Sequence, residues 1–211
     1  MNQPDLENVV LEIRTLEQRL AELHEQRREL EHASHSQSDW QQQGFYTSYY
    51  FVAGLVLGML AAVTSLLFNV LGSYLVENHP LRLIQIYLTF PLGEQALELN
   101  DARSLIIGSC LYLITGMIIG GPFYLILMAT VRNSEAAMRW GIATVLAIAM
   151  WLLHFYGILS WLQPWLIGGN WIVEQIPWWV GCATHIVYGW TMAILFSLGQ
   201  YVPYRRQLEN S

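Results

Sequence analysis

Apolar residues near the start of the chain recur alternately every three and every four positions. The pattern runs through residues 5–31 over nearly four heptads, with Arg27 in one core position. Its members are Leu6, Val9, Ile13, Leu16, Leu20, Leu23 and Leu30. A stripe this narrow is typical of a coiled-coil helix, so we expect a cytoplasmic helix that buries the stripe against a partner.

The pattern leaves the partner of this helix open. Glu12 and Glu17 would face each other and repel in a parallel pair of identical helices. The remaining arrangements are an antiparallel pair of two copies, a pairing with another protein, and a helix laid on the chain's own cytoplasmic surface. A loosely formed, solvated helix is a further alternative. The polar stretch 32–43, ending at Gly44, is predicted to be a linker.

Four long apolar segments follow the linker. Each exceeds the about 20 residues that a helix needs to cross the hydrocarbon layer. They contain no Asp or Glu, and their one Arg is Arg139, near the start of the third segment. Backbone groups in lipid must satisfy their own hydrogen bonds, so the segments are predicted to be membrane-spanning helices. Their predicted bounds are 49–76, 104–131, 137–161 and 178–201.

These elements predict an all-α fold class, a polytopic membrane protein with four transmembrane helices and an N-terminal cytoplasmic coiled-coil helix. The predicted domains are 1–43 (helix and linker), 44–206 (transmembrane domain) and 207–211 (C-terminal tail). The loop 77–103 alternates apolar with polar and charged residues and is broken at Pro91 and Gly93. It is too short and too charged to span, so we predict two short helices at the outer interface, with a plain connector as the alternative.

The composition also indicates a membrane protein. Of the 211 residues, 54% are hydrophobic and only 12% are charged, whereas soluble domains are about a quarter charged. Residues 1–39 carry nine acids and four arginines, so this segment holds −5 of the total charge of −6. No basic surface for nucleic acid is expected, and the absence of Lys excludes lysine chemistry. Cys110 and Cys182 lie in apolar runs, where packing is expected rather than a disulfide.

The arginines set the expected orientation, because cytoplasmic loops carry an excess of positive residues. With a cytoplasmic amino terminus, four near-membrane arginines lie inside and two lie outside. The inside ones are Arg132, Arg139, Arg205 and Arg206, and the outside ones are Arg82 and Arg103. Both termini are therefore predicted to be cytoplasmic.

Small residues recur every fourth position in three of the spans. The glycines in these patterns are Gly54, Gly58, Gly116, Gly120, Gly181 and Gly189. The spacing places them on one face of each helix, where two backbones can approach closely. We expect them to pack the protein's own bundle, with dimerisation between subunits as the alternative.

Two histidines lie within the spans. By the same four-residue spacing, His185 and His154 fall on faces of small residues, so both are predicted to point into the bundle. Each lies seven residues from a boundary tryptophan, Trp161 or Trp178, which places it about 10 Å below the outer boundary. The two imidazoles are therefore expected at one depth on facing helices.

Several roles are open to such a pair. Neutral histidines can act as hydrogen-bonding glue between helices. They could also ligate a haem b iron from both sides, with Arg82 or Arg103 near the propionates, or serve a metal or a proton relay. Two histidines fall short of the three or four ligands of a zinc site, so no metal is predicted. No catalytic residues are predicted, because the soluble parts hold no nucleophile-base pair or phosphate-binding loop.

The string Thr184-His185-Ile186-Val187-Tyr188-Gly189 resembles the H-x-x-Y-G helix of uncharacterised bacterial four-helix inner-membrane proteins. The match covers about one helix of four. The resemblance implies a bacterial inner-membrane protein without an assigned activity, with His185, Tyr188 and Gly189 as the residues of interest.

The expected function is structural or interactive. Four helices would anchor the protein in the lipid bilayer, and residues 5–31 would assemble a homo-oligomer or recruit a protein partner. The alternative is a haem b subunit for electron transfer, with His154 and His185 as axial ligands. A small channel or transporter is a third hypothesis, weakened by the apolar spans, and an enzyme is not favoured.

Overall fold

The computed structural model describes residues 3–75, 79–132 and 134–201, with side chains at 13–31 and, within those ranges, from 46 onward. The chain divides into two compact units, Met1–Tyr46 and Thr47–Ser211. All regular structure in the described residues is helical. The α-helices are α1 (Gln3–Leu75), α2 (Arg82–Leu92), α3 (Ala102–Val131), α4 (Ala136–Leu152), α5 (Ser160–Ile167), α6 (Trp171–Gln175) and α7 (Trp178–Ile194). A π-helical segment, Leu153–Leu159, joins α4 to α5, and 3₁₀ turns occupy Glu94–Glu98 and Leu195–Gly199.

Four helical stretches are long and apolar enough to cross a membrane. They are Tyr46–Leu75, Ala102–Val131, Ala136–Ile167 and Trp178–Gly199. Each overlaps one predicted span, so the prediction of four membrane-spanning helices and an integral membrane protein is confirmed at this level. The third stretch runs past its predicted end at Trp161, because the π segment and α5 continue the helix.

The polar stretch 32–43, predicted to be a linker ending at Gly44, is helical and belongs to α1. The stretch contains no proline, and its Ser, His and Gln residues are only mildly unfavourable in a helix. One interior glycine costs about 1 kcal/mol relative to alanine, which a helix continued on both sides tolerates. The polar residues of the predicted linker therefore continue the helix.

Helices α1 and α3 meet at a surface made of glycines. A Cβ atom added to Gly54 would lie 2.6 Å from the carbonyl oxygen of Gly120, and one added to Gly58 would lie 2.6 Å from that of Gly116. Any larger residue at these positions would push the two backbones apart. The four glycines, here called the α1–α3 seam, let the backbones touch and gain van der Waals contact.

Helix α7 contacts each of the other three spans. Toward α4, a side chain on Gly189 would collide with the facing helix. Toward α1, Thr184 Oγ1 accepts a hydrogen bond from Asn69 Nδ2 at 2.9 Å. Toward α3, the Tyr188 hydroxyl donates to the carbonyl of Gly116 at 2.7 Å. Close packing and interhelical hydrogen bonds thus hold α7 in the bundle, as expected for helices in lipid.

The loop 77–103 is ordered as short helices from residue 79 onward, in agreement with the prediction of two. Helix α2 and the first 3₁₀ turn separate at Gly93, whose φ of 70° suits glycine. Pro91 lies within the last turn of α2 rather than at the break. Asp101 then caps α3 by accepting a hydrogen bond from the Ser104 amide at 2.9 Å. Hydrogen bonds from the Ser104 side chain and amide lower the pKa of the Asp101 carboxyl.

One end of the bundle is covered by α2, the first 3₁₀ turn and α6, here called the cap. Gln163 of α5 is fully buried beneath it and binds two of its parts. The Gln163 amide donates to Thr89 Oγ1 at 3.0 Å and accepts from the Ile172 backbone amide at 3.1 Å. Gln85 of α2 donates to the Leu99 carbonyl at 2.8 Å. The buried residues of α2 therefore pack on protein, although the alternation suggested a helix resting at a lipid interface.

Gly120→Leu should lower the midpoint of thermal unfolding of the full chain in detergent. The new side chain would meet the α1 backbone, and overpacking of this kind typically costs about 1–3 kcal/mol. Gly72→Leu is the matched control, because Gly72 also lies in a spanning helix but a Cβ there meets nothing within 4 Å. Equal unfolding midpoints for the two variants would contradict a backbone contact at the seam.

Candidate functional site

The two intramembrane histidines are brought together by helices of different geometry. His185 lies on α7, and His154 lies on the π segment Leu153–Leu159. In a π-helix each carbonyl bonds the fifth residue along instead of the fourth, and such segments are frequent at functional sites. His154 Nδ1 lies 3.3 Å from His185 Nε2, so the half-buried rings form a direct hydrogen bond. They are called the histidine pair below.

The orientation of His185 is fixed by its surroundings on α7. Its Nδ1 lies 2.8 Å from the Gly181 carbonyl oxygen, one turn earlier. Phe155 packs edge-on against the His185 ring, with the centroids 6.1 Å apart. A Cβ on Gly181 would lie 2.8 Å from the Phe155 ring, so glycine provides the space that Phe155 occupies. A carbonyl and a buried aromatic ring together hold the imidazole in place.

Polar pairs near the histidines were not identified from the sequence. Tyr87 on α2 is hydrogen-bonded to Thr115 on α3. Tyr112 on α3 is hydrogen-bonded to Ser65 on α1, with 2.9 Å between the hydroxyl oxygens. Polar residues inside apolar spans signal that partners exist, because an unpaired polar group in lipid is costly. Which residues pair is decided by the register of helices that are distant in sequence.

The two arginines predicted to assist a cofactor serve other contacts. Arg82 Nη1 donates to the Leu97 carbonyl at 3.2 Å, and Nη2 lies 3.4 Å from Gln175 Oε1. Arg82 therefore links α2 to the first 3₁₀ turn and to α6 within the cap. Arg103 is exposed near the start of α3, where its charge acts on Asp101. No hydrogen bond among the described residues joins either arginine to the histidine pair.

A haem iron ligated from both sides does not fit the histidine pair in this arrangement. Metal–nitrogen bonds of about 2 Å on opposite sides of an ion place the two nitrogens about 4 Å apart, with the porphyrin between them. The two nitrogens here are 3.3 Å apart and bond to each other. The geometry therefore gives no support to the haem hypothesis, and we derive no function through it. Within the described residues, no group of three or more His, Cys, Asp or Glu could hold a metal ion.

Comparisons of the chain with protein-family models, curated proteins and solved structures find no match. The resemblance based on His185, Tyr188 and Gly189 stays a prediction. In the structure these three residues face different neighbours. His185 binds His154, Tyr188 binds the α3 backbone, and Gly189 lies against α4. A functional proposal must therefore come from residues and geometry.

The full chain, expressed with a supply of haem and purified, should show no Soret band in its absorption spectrum. The reason is the direct bond of the histidine pair, which leaves no gap for a porphyrin. A Soret band that disappears in His185→Ala would contradict this expectation and would support axial ligation instead.

Proposed function

We propose that this chain is a membrane-anchored interaction protein that self-associates through its N-terminal helix. The observation that carries the proposal is the exposure of the heptad residues along α1, here called the heptad seam. Its described members, between 50% and 71% exposed, are Ile13, Leu16, Leu20, Leu23 and Leu30. A continuous stripe of exposed large apolar side chains marks an interaction surface. Leu6 and Val9 continue the pattern, but their side chains lie outside the described residues.

The width of the heptad seam favours another helix as its partner. Between Ile13 and Leu30 every large apolar residue lies on the heptad seam, whereas a helix docked on a globular core shows a wider stripe of about 100° or more. The flanks carry charged residues, and two exposed ion pairs form within the helix, Arg27 with Glu31 at 2.9 Å and Arg28 with Glu25 at 2.7 Å. Exposed pairs of this kind contribute little to stability. Burial of the seam would therefore supply most of the association free energy.

The partner we propose is a second copy of this chain. An identical helix offers the same repeat over the same length, so a and d positions of the two helices can form matched layers. Repulsion between Glu12 and Glu17 disfavours the parallel pair, which leaves the antiparallel one.

We place the protein in a bacterial inner membrane, with both termini in the cytoplasm. Arg132 and Arg139 flank the connection between α3 and α4, whereas Arg82 belongs to the cap and Arg103 begins α3. The Arg139 guanidinium lies 4.4 Å from the centroid of the Phe196 ring, a cation–π contact at the start of α4. The other two arginines predicted to be cytoplasmic, Arg205 and Arg206, lie outside the described residues. The positive-inside rule supports this orientation.

Leu16→Asp should convert the oligomer of the full chain into a monomer, as measured by light scattering in detergent. The substitution would bury an unpaired carboxylate in the middle of the heptad seam, which is strongly unfavourable. Gln18→Asp is the matched control, because it adds the same carboxylate at an exposed position off the seam. A monomeric wild-type chain, or an oligomer unchanged by Leu16→Asp, would overturn the proposal.

Arg27→Leu should tighten self-association by about tenfold or more, because burying a leucine side chain typically contributes about 1.5–3 kcal/mol. The lost ion pair with Glu31 offsets only a few tenths of a kcal/mol, as is typical of exposed i,i+4 pairs. Arg28→Leu removes a comparable exposed ion pair on the flank of the helix and should leave the affinity unchanged. The dissociation constants can be compared by dilution of fluorescently labelled chains in detergent. Equal tightening in both variants would indicate nonspecific adhesion and count against the heptad seam.

A further inference from the structure

The membrane domain contains a cavity of about 510 Å³ beneath the cap. All seven α-helices and the π segment contribute residues to its wall. The histidine pair lies in this wall, and so does Gly116 of the α1–α3 seam. A volume of this size lies within the range of sites that bind small molecules. The cavity is therefore large enough for a small-molecule guest.

The wall of the cavity is mostly apolar and rich in aromatic rings. Besides the two histidines, its aromatic residues are Tyr87, Phe90, Tyr112, Phe155 and Tyr188. Aromatic rings gain additional attraction from stacked or edge-to-face contacts with another ring. This lining favours a guest with a flat aromatic part over a purely saturated chain.

The hydroxyl groups contributed by α1, α2 and α3 have donated their hydrogens within the protein. Ser65 donates to the Ala62 carbonyl at 3.0 Å, so the Tyr112 hydroxyl is the donor to Ser65 Oγ. Thr115 donates to the Leu111 carbonyl at 2.9 Å. The Tyr87 hydroxyl is consequently the donor to Thr115 Oγ1. Each of these hydroxyl groups can only accept a further bond.

The hydroxyl groups contributed by α7 are used in the same way. The Tyr188 hydroxyl donates to the Gly116 carbonyl at 2.7 Å. Thr184 Oγ1 lies 2.8 Å from the Val180 carbonyl and 3.2 Å from Asn69 Oδ1, and both of these atoms accept its hydrogen. No hydroxyl of the cavity wall retains a free hydrogen for a guest.

The histidine pair has a defined direction of hydrogen bonding. A carbonyl only accepts, so His185 Nδ1 carries the hydrogen that bonds Gly181. In a neutral ring Nε2 of His185 is then an acceptor, and His154 Nδ1 must donate to it. His154 Nε2 is left with a free lone pair, and no hydrogen bond to it is present among the described residues. Trp151 has a buried indole N–H without a partner, but it does not line the cavity.

We propose that the cavity binds a lipid-soluble phenol or hydroquinone whose hydroxyl donates to His154 Nε2 and whose ring packs on the aromatic wall. The polar side chains of the wall offer acceptors and no free donor, so the guest must supply the hydrogen. A quinone carries only carbonyl acceptors and would leave them unpaired in an apolar site, which is unfavourable. His154 lies on the π segment, and π-helical segments are frequent at functional sites.

The test compares the binding of decylhydroquinone with that of its O,O-dimethyl ether. Both probes are titrated against the full chain in detergent, without oxygen, by isothermal calorimetry. They share the ring and the alkyl chain, but only the hydroquinone has hydroxyl hydrogens. We expect a preference for the hydroquinone of roughly five- to tenfold, the typical effect of one hydrogen bond. Decylquinone should bind no more tightly than the ether.

Two variants assign the preference to the histidine. His154→Phe should remove the preference while binding the ether as the wild type does. Tyr156→Phe is the matched control, because Tyr156 lies on the same π segment but does not line the cavity, and it should keep the preference. Equal affinities of the wild type for the hydroquinone and the ether would overturn the proposal. So would a preference retained in His154→Phe.

A third variant tests the location of the probes and does not depend on the folding of His154→Phe. Leu111 lines the cavity and is 38% exposed, so it is not part of the packed core. Leu111→Trp should narrow the cavity and lower the affinity for both probes by a similar factor. Unchanged binding of both would show that they bind elsewhere and would overturn the proposal. Probe binding and self-association are measured separately, because self-association is read out by light scattering on variants of α1.

Discussion

The backbone contact between α1 and α3 across Gly54, Gly58, Gly116 and Gly120 is the constraint on which the rest of the membrane domain depends. In lipid, burial of apolar surface gives helices little reason to associate, so close packing and interhelical hydrogen bonds must supply the free energy. The Tyr188 hydroxyl that donates to the Gly116 carbonyl occupies space left by Gly58, where an added Cβ would lie 2.8 Å from it. Gly116 also forms part of the cavity wall. The contact between α1 and α3 therefore forms one side of the cavity.

Pairing of polar groups connects the stability of this domain to its ligand chemistry. A donor left unpaired in lipid costs free energy, and the hydroxyl groups around the cavity have therefore donated their hydrogens to carbonyls or to one another. The result is a wall that accepts hydrogen bonds and does not donate them. His154 Nε2 keeps a free lone pair as well, on an imidazole nitrogen that is a more basic acceptor than a hydroxyl oxygen. Because the donors of the wall are already paired within the protein, the cavity favours a guest that supplies a hydrogen-bond donor.

Several parts of this arrangement follow from local spacing. The lengths and apolar character of the four spans identify them, since crossing the hydrocarbon layer sets a minimum length. Counting residues from Trp161 and Trp178 places His154 and His185 at one depth, and in the structure the two rings touch. The predicted linker 32–43 is helical, because polar residues alone do not end a helix. The cap was foreseen as short helices, but its burial on the bundle was not, since that depends on Gln163 and the neighbouring loop.

By itself, the sequence determined the periodic features of the protein: the spans, the glycine faces, the heptad seam and the depth of the histidines. These depend on residues within a few turns of one another, where helix geometry alone fixes which side chains share a face. The tertiary structure decided which polar groups pair and where the cavity lies. Asn69 meets Thr184 across 115 positions of sequence, and His154 meets His185 across 31. No local period encodes them, because they depend on how helices far apart in the chain are set against each other.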